Sequence, residues 1–128
     1  MTSPTINTDI YVGFKNSSNR KSISYRKARK FIHTKVEQAE RGSPIGCVAL
    51  SKVDYLYKGG KEKGILIHLI NYPRFPNTRK DIRAEAIKLA TATAKEFKQC
   101  RVTVVMKQES IMVSSPRQIN FIEKGVMK

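Results

Sequence analysis

The residues best suited to chemistry in this sequence are cations, and they are clustered. Between Phe14 and Lys30 the chain carries seven lysines and arginines and no acidic residue. Such side chains bind phosphate oxygens and displace condensed counterions, so the binding depends on salt concentration. A salt-bridged surface alternates basic and acidic residues, whereas this segment has basic residues alone. It therefore predicts contact with an anion. The predicted contacts are Lys15, Arg20, Lys21, Arg26, Lys27 and Lys30.

A second basic group lies at 72–80, where aromatic rings and cations precede a predicted helix. The N-terminus of a helix offers unpaired N–H groups to phosphate, and exposed rings can stack on bases. The alternative interpretation is that Tyr72 and Phe75 anchor this loop to the core. The predicted contacts in this segment are Arg74, Phe75, Arg79 and Lys80.

The glycine-rich segment 58–64 is a third candidate, because it holds Lys58, Lys61 and Lys63. Successive backbone N–H groups in such a turn can cradle an anion, although a flexible hairpin tip explains the same residues. The segment is not a Walker A loop, since the required spacing and the Lys-Ser/Thr ending are missing.

Evidence for catalysis is thin. His33 and His68 are the two histidines, and neither belongs to a recognisable nucleophile–base set. Asp54, Glu62 and Lys63 resemble the carboxylate-plus-lysine arrangement of metal-dependent nucleases, which keeps a nuclease as a minor alternative. The sequence therefore predicts a protein that is not an enzyme and has no catalytic residues, metal site or cofactor.

Net charge sets the leading functional hypothesis. Twenty-five Lys and Arg residues against ten acidic ones give a formal charge of +15. This surplus repels itself in a compact protein, which favours a partner that neutralises it. We predict a nucleic-acid-binding protein that grips the phosphate backbone of DNA or RNA. The alternatives are an accessory or inhibitor protein that binds an anionic nucleotide-like ligand or an acidic partner protein, and a basic component of a ribosome or virion.

Hydrophobic periodicity predicts the elements that position these groups. Ser22 or Ser24 is expected to cap the first helix, and Asn77 or Thr78 the second. Ile119, Phe121 and Ile122 suggest a further edge strand within 117–128. The other strands are predicted at 9–14, 46–57, 65–70, 101–107 and, optionally, 111–113, and the helices end near Arg41 and Lys98.

The element order is β-α-β-β-α-β, which predicts an α+β, ferredoxin-like (split β-α-β) fold. In this fold an antiparallel sheet carries two amphipathic helices on one face, and an extra C-terminal strand is optional here. Ile10-Tyr-Val-Gly-Phe-Lys15 resembles the first-strand motif of RNA-recognition-motif domains, and 63–70 would hold the second motif. Ile65 and Ile67 replace the stacking aromatics of that family, so the resemblance implies a strand order rather than an activity.

The chain length of 128 residues predicts a single domain, 1–128, with a flexible N-terminal arm at 1–8. Cys47 and Cys100 are interpreted as two buried, reduced thiols in preference to a disulfide. Neither a secretory signal nor an apolar run of membrane-spanning length is present, so we expect a cytoplasmic protein that is not secreted and has no membrane partner. The open sheet face or an edge strand would allow a homodimer.

Overall fold

The computed structural model describes residues 7–15, 22–71, 77–99, 101–107 and 109–114. These residues form five strands and two helices. In chain order the elements are β1 (Asn7–Gly13), α1 (Tyr25–Gln38), β2 (Val48–Tyr57), β3 (Gly60–Ile70), α2 (Arg79–Phe97), β4 (Arg101–Met106) and β5 (Glu109–Ser114).

The strands form one antiparallel sheet in the order β2-β3-β1-β4-β5. The predicted α+β class, the antiparallel sheet with two helices and the extra strand after Lys107 are therefore confirmed. The finer ferredoxin-like assignment stays a prediction. The edge strand suggested within 117–128 lies outside the described residues.

Alternation along the strands decides which face the helices cover. Ile10 and Val12 of β1 are fully buried, and Ile10 lies opposite Ile67 of β3, which is also fully buried. Ala28 and Ile32 of α1 join the same core cluster. Since successive strand residues point to opposite faces, the other face of the sheet carries residues such as Tyr11, which is 37% exposed.

Both helices begin at side-chain caps that the sequence proposed as alternatives. The Ser24 hydroxyl accepts the Lys27 N–H at 3.2 Å, and the Thr78 hydroxyl accepts the Asp81 N–H at 3.1 Å. Each cap satisfies a backbone donor that has no partner within its helix. α1 ends at Gln38, before the predicted Arg41, because Ala39 already has an extended backbone.

Two segments that were predicted as an arm and a loop contain strand residues in the structure. The predicted arm 1–8 ends in β1, where Asn7 and Thr8 pair with the end of β3 and Thr8 is fully buried; residues 1–6 lie outside the described part. The predicted loop 58–64 shortens to a two-residue turn because Gly59, with φ of +88°, lets the chain reverse at once. Cys47 is exposed, so the prediction that it is buried was wrong, and Cys100 is not described. Among the described residues, no helix combines the length and apolarity needed to cross a membrane.

Candidate functional site

The long β2–β3 hairpin and the N-terminal end of α1 enclose a cleft of about 830 Å³, which we call the hairpin cleft. Ligand sites commonly occupy roughly 300–1,000 Å³. A second cleft, of about 660 Å³, lies between the C-terminal end of α1 and α2. The hairpin cleft is lined by Phe14, Lys15, Ser22, Ile23, Ser24, Tyr25, Lys52, Val53, Asp54, Leu56, Lys61, Glu62, Lys63 and Gly64.

One wall of the hairpin cleft is a row of side chains along β2. Lys52, Asp54 and Leu56 are two residues apart, so they share one face of the strand. Leu56 is 79% exposed, so its apolar surface is open to solvent. The wall therefore presents a cation, an anion and an apolar surface in sequence.

Glu62 lies at the edge of the hairpin cleft, but it pairs with Tyr55, so its carboxylate is on the face of the sheet opposite Lys52 and Asp54. Its Oε2 accepts the N–H of Lys15 at 2.7 Å, a charge-assisted hydrogen bond across the β1–β3 pair. The carboxylate lies against Gly13, where an added Cβ would stand 2.6 Å from Cδ of Glu62. A glycine at position 13 therefore leaves the space that this carboxylate occupies.

Tyr55 lies opposite Glu62 in the cross-strand register, and its ring occupies space that is open because residue 64 is a glycine. A Cβ at Gly64 would meet the Val12 carbonyl oxygen and stand 3.1 Å from Cδ2 of the tyrosine ring. The phenol donates to the Ile65 carbonyl oxygen at 3.3 Å. Burial raises the pKa of Tyr55 to about 12, so its phenol stays protonated well above pH 10.

Tyr25 supplies an aromatic surface to the hairpin cleft. It is the first residue of α1, directly after the Ser24 cap, and it packs against the core cluster. The Nζ atom of Lys52 lies 5.0 Å from the centroid of its ring. This distance is typical of a cation–π contact, in which the electron-rich face of the ring attracts a positive charge.

The structure separates the basic residues predicted from the first cluster. Lys15 lines the hairpin cleft, whereas Arg26, Lys27 and Lys30 are exposed on α1. Arg26 and Lys30 border a different, shallow depression together with Arg29 and His33. Arg20 and Lys21 lie outside the described residues.

The second predicted group is also divided. Arg79 donates to the Lys107 carbonyl oxygen at 2.8 Å and to Glu109 at 3.3 Å, so it ties α2 to the β4–β5 turn. Arg83 donates to the same carboxylate at 2.7 Å, and this bond is the main cause of the lowered pKa of Glu109. Lys80 is exposed on α2, and Arg74 and Phe75 lie outside the described residues.

Sequence reasoning considered Asp54, Glu62 and Lys63 as a nuclease set, and the structure does bring all three to the hairpin cleft. The described residues nevertheless contain no group of three potential metal ligands. Reasoning from sequence missed Tyr25 and Lys52 as partners. A signal for the site was present in Gly13 and Gly64, because a glycine inside a strand often marks a close approach of another group.

No protein-family model and no curated protein matches this sequence. Two solved structures share its fold. A phage SAM lyase in complex with S-methyl-5'-thioadenosine matches with a TM-score of 0.70 and 13% identity, covering 90% of this chain and 93% of that one. A phage SAM lyase in the apo state matches with a TM-score of 0.70 and 15% identity, covering 91% of this chain and 97% of the other.

These structures correct two predictions. Both matched structures are of SAM lyase, and one holds a nucleoside without phosphate, so the predictions of a nucleic-acid-binding protein and of a protein without catalysis were wrong. Net charge gives the sign of the charge on the partner that a surface attracts, but it does not identify the chemical class of that partner. The comparison favours the alternative of a small, nucleotide-like ligand.

Proposed function

We propose that this protein binds S-adenosylmethionine in the hairpin cleft and cleaves it, as a lyase, to S-methyl-5'-thioadenosine. One observation carries the proposal: a ligand-sized cleft joins the carboxylate of Asp54 to the ring of Tyr25, in a fold shared with SAM lyase structures. Lys15 of the first basic group and Lys61 and Lys63 of the third also line this cleft, which supports the expectation of an anionic group on the ligand.

The groups of the cleft complement those of the ligand. S-adenosylmethionine carries a sulfonium and an ammonium, which Asp54 would attract. Its carboxylate would pair with Lys61 or Lys63, which lie opposite Leu56 and Asp54 in the cross-strand register of the same hairpin. The exposed side chain of Leu56 offers apolar surface to the adenine ring.

The proposed reaction breaks the bond between the sulfonium sulfur and the amino-acid chain. The electron pair of that bond goes to sulfur, which becomes the neutral thioether of S-methyl-5'-thioadenosine. As that bond breaks, the carbon that loses sulfur gains a bond to an oxygen of the fragment's own carboxylate, or the adjacent carbon loses a proton to a base, for which Asp54 is the carboxylate that faces the cleft. The positive charge of the sulfonium is spread over more atoms in the transition state. The lysines of the cleft therefore repel the transition state less than they repel the charged substrate.

The direct test is to incubate the protein with S-adenosylmethionine and to follow S-methyl-5'-thioadenosine by chromatography. Asp54→Asn keeps the shape of the side chain but removes its charge, and we expect kcat to fall by about a hundredfold. Glu37→Gln is the matched control, because Glu37 is an exposed carboxylate of α1 that pairs with His33 outside the cleft. Its activity should equal that of the wild type.

Three results would contradict the proposal. The first is that no thioadenosine forms and calorimetry detects no binding of S-adenosylmethionine. The second is that oxygen from labelled water enters the hydroxyl group on the carbon that had carried sulfur, which would indicate a hydrolase. The third is that Glu37→Gln lowers activity as much as Asp54→Asn does.

A further inference from the structure

A cation lies over the ring of Tyr25 in the hairpin cleft, and this cation belongs to the protein itself. The Nζ atom of Lys52 is 5.0 Å from the ring centroid. Aromatic faces that attract ammonium groups also recognise permanently charged ligand cations whose charge is shielded by alkyl groups. A sulfonium is such a cation, because its charge is surrounded by three carbon substituents and is weakly hydrated.

We propose that the ring of Tyr25 is the sulfonium subsite of the hairpin cleft, and that Lys52 competes for it. Lys52 leaves the ring when a cationic ligand enters and returns when the ligand is neutral. The identity of the ligand rests on the proposed function, whereas the inference itself concerns how the cleft distinguishes ligands by charge.

The two partners differ in mobility, as this exchange requires. Tyr25 is half-buried, packs against the core cluster and follows a helix cap, so its ring stays in place. Lys52 is exposed and has a long, flexible side chain. Asp54 lies two residues further along the same face of β2, roughly 7 Å away by strand geometry, and can receive the displaced ammonium.

The exchange would link the chemistry to product release. When the bond from sulfur to the amino-acid chain breaks, the sulfonium becomes a neutral thioether and its attraction to the ring is lost. Lys52 then regains the ring and displaces the product. The cleft should therefore prefer a cationic nucleoside to a neutral one of the same shape.

The test uses two ligands that differ mainly in this charge: sinefungin, with an ammonium group near the position of the sulfonium, and S-adenosylhomocysteine, a neutral thioether. Calorimetry gives the ratio of their dissociation constants, defined as the value for the thioether over that for sinefungin. Lys52→Met should raise this ratio by about twofold to fivefold, the usual strength of an exposed cation–π contact. Tyr25→Leu should lower it by a similar factor, and Tyr25→Phe, which keeps the ring, should leave it within about twofold.

Two lysines provide matched controls. Lys61→Met removes the same charge from the same cleft, and among the described residues Lys61 makes no cation–π contact. Lys35→Met removes a lysine that lies 5.4 Å from the Phe31 ring, outside the hairpin cleft. In the Tyr25→Leu background, Lys52→Met should change the ratio no more than Lys61→Met does, because the shared ring is gone.

The outcomes separate this inference from the proposed function. If neither nucleoside binds the wild type, both proposals are overturned. If both bind but Lys52→Met and Lys61→Met raise the ratio equally, only net charge matters and this inference alone is overturned. An unchanged ratio in a Tyr25→Leu variant with a wild-type circular dichroism spectrum would also overturn it alone.

Discussion

Replacing Gly13 with alanine should destabilise the protein through Glu62. A Cβ at this position would stand 2.6 Å from Cδ and 3.0 Å from Oε1 of Glu62, and the nearest atoms all belong to that carboxylate. The carboxylate must then move and lose its 2.7 Å hydrogen bond from the Lys15 N–H. A hydrogen bond to a charged group contributes about 1.5–3 kcal/mol.

The net effect is smaller, because alanine restricts the unfolded chain more than glycine does. That difference favours the variant by about 0.4–1 kcal/mol where the backbone tolerates alanine, and Gly13 does not have a positive φ. The net loss is therefore about 1–2 kcal/mol. With a urea slope of about 2 kcal/mol/M, the unfolding midpoint should fall by roughly 0.5–1 M, as followed by far-UV circular dichroism.

A double-mutant cycle identifies the cause of this loss. In a Glu62→Ala background the obstructing carboxylate is absent, so Gly13→Ala should be neutral or should stabilise by up to about 1 kcal/mol. The reasoning is refuted if Gly13→Ala costs the same in both backgrounds, since the cost would then arise from the backbone. It is also refuted if Gly13→Ala is neutral in the wild-type background.

Two further predictions concern pH. Arg83 lowers the pKa of Glu109, so the ion pair should stabilise the fold above about pH 4.5 and lose this contribution as the pH falls through the lower folded-state pKa. Urea unfolding should show Glu109→Gln less stable than wild type at pH 7, and a gap that persists unchanged at pH 2.5 would contradict this. Burial raises the pKa of Tyr55 from 10.0 to about 12, so its contribution is present below pH 10 and is lost as the pH rises through 12. Tyr55→Phe should reduce the loss of stability between pH 10 and pH 12, because the buried phenol is absent. The ultraviolet titration of this variant should lack the most alkaline tyrosine step of the wild type, and a variant that keeps this step would contradict the assignment.

Local patterns in the sequence predicted much of the fold, because periodicity is a property of neighbouring residues. The spacing of six residues at the period of a helix predicts one inner stripe on α2, and all six are buried: Ile82, Ala86, Leu89, Ala90, Thr93 and Phe97. The unbroken apolar stretch at 65–70 predicts a central strand, and β3 does lie between β2 and β1.

The functional prediction failed where it relied on composition. The surplus of lysine and arginine was real, but Arg79 proved to join α2 to the β4–β5 turn, and Arg26 and Lys30 face a depression apart from the hairpin cleft. Counting charges cannot distinguish a cation that holds two elements together from one that faces a ligand.

The sequence by itself therefore determined the class, the order of the elements and the sign of the net charge, and it reduced each helix cap to two candidates. Tertiary structure alone decided the cleft, because its groups come from distant segments: the Lys15 N–H meets Glu62, and Lys52 reaches the ring of Tyr25. These contacts depend on the register between the strands, because a shift of one residue would turn Glu62 to the other face of the sheet. Register is set by the packing of the whole sheet, which no local pattern records.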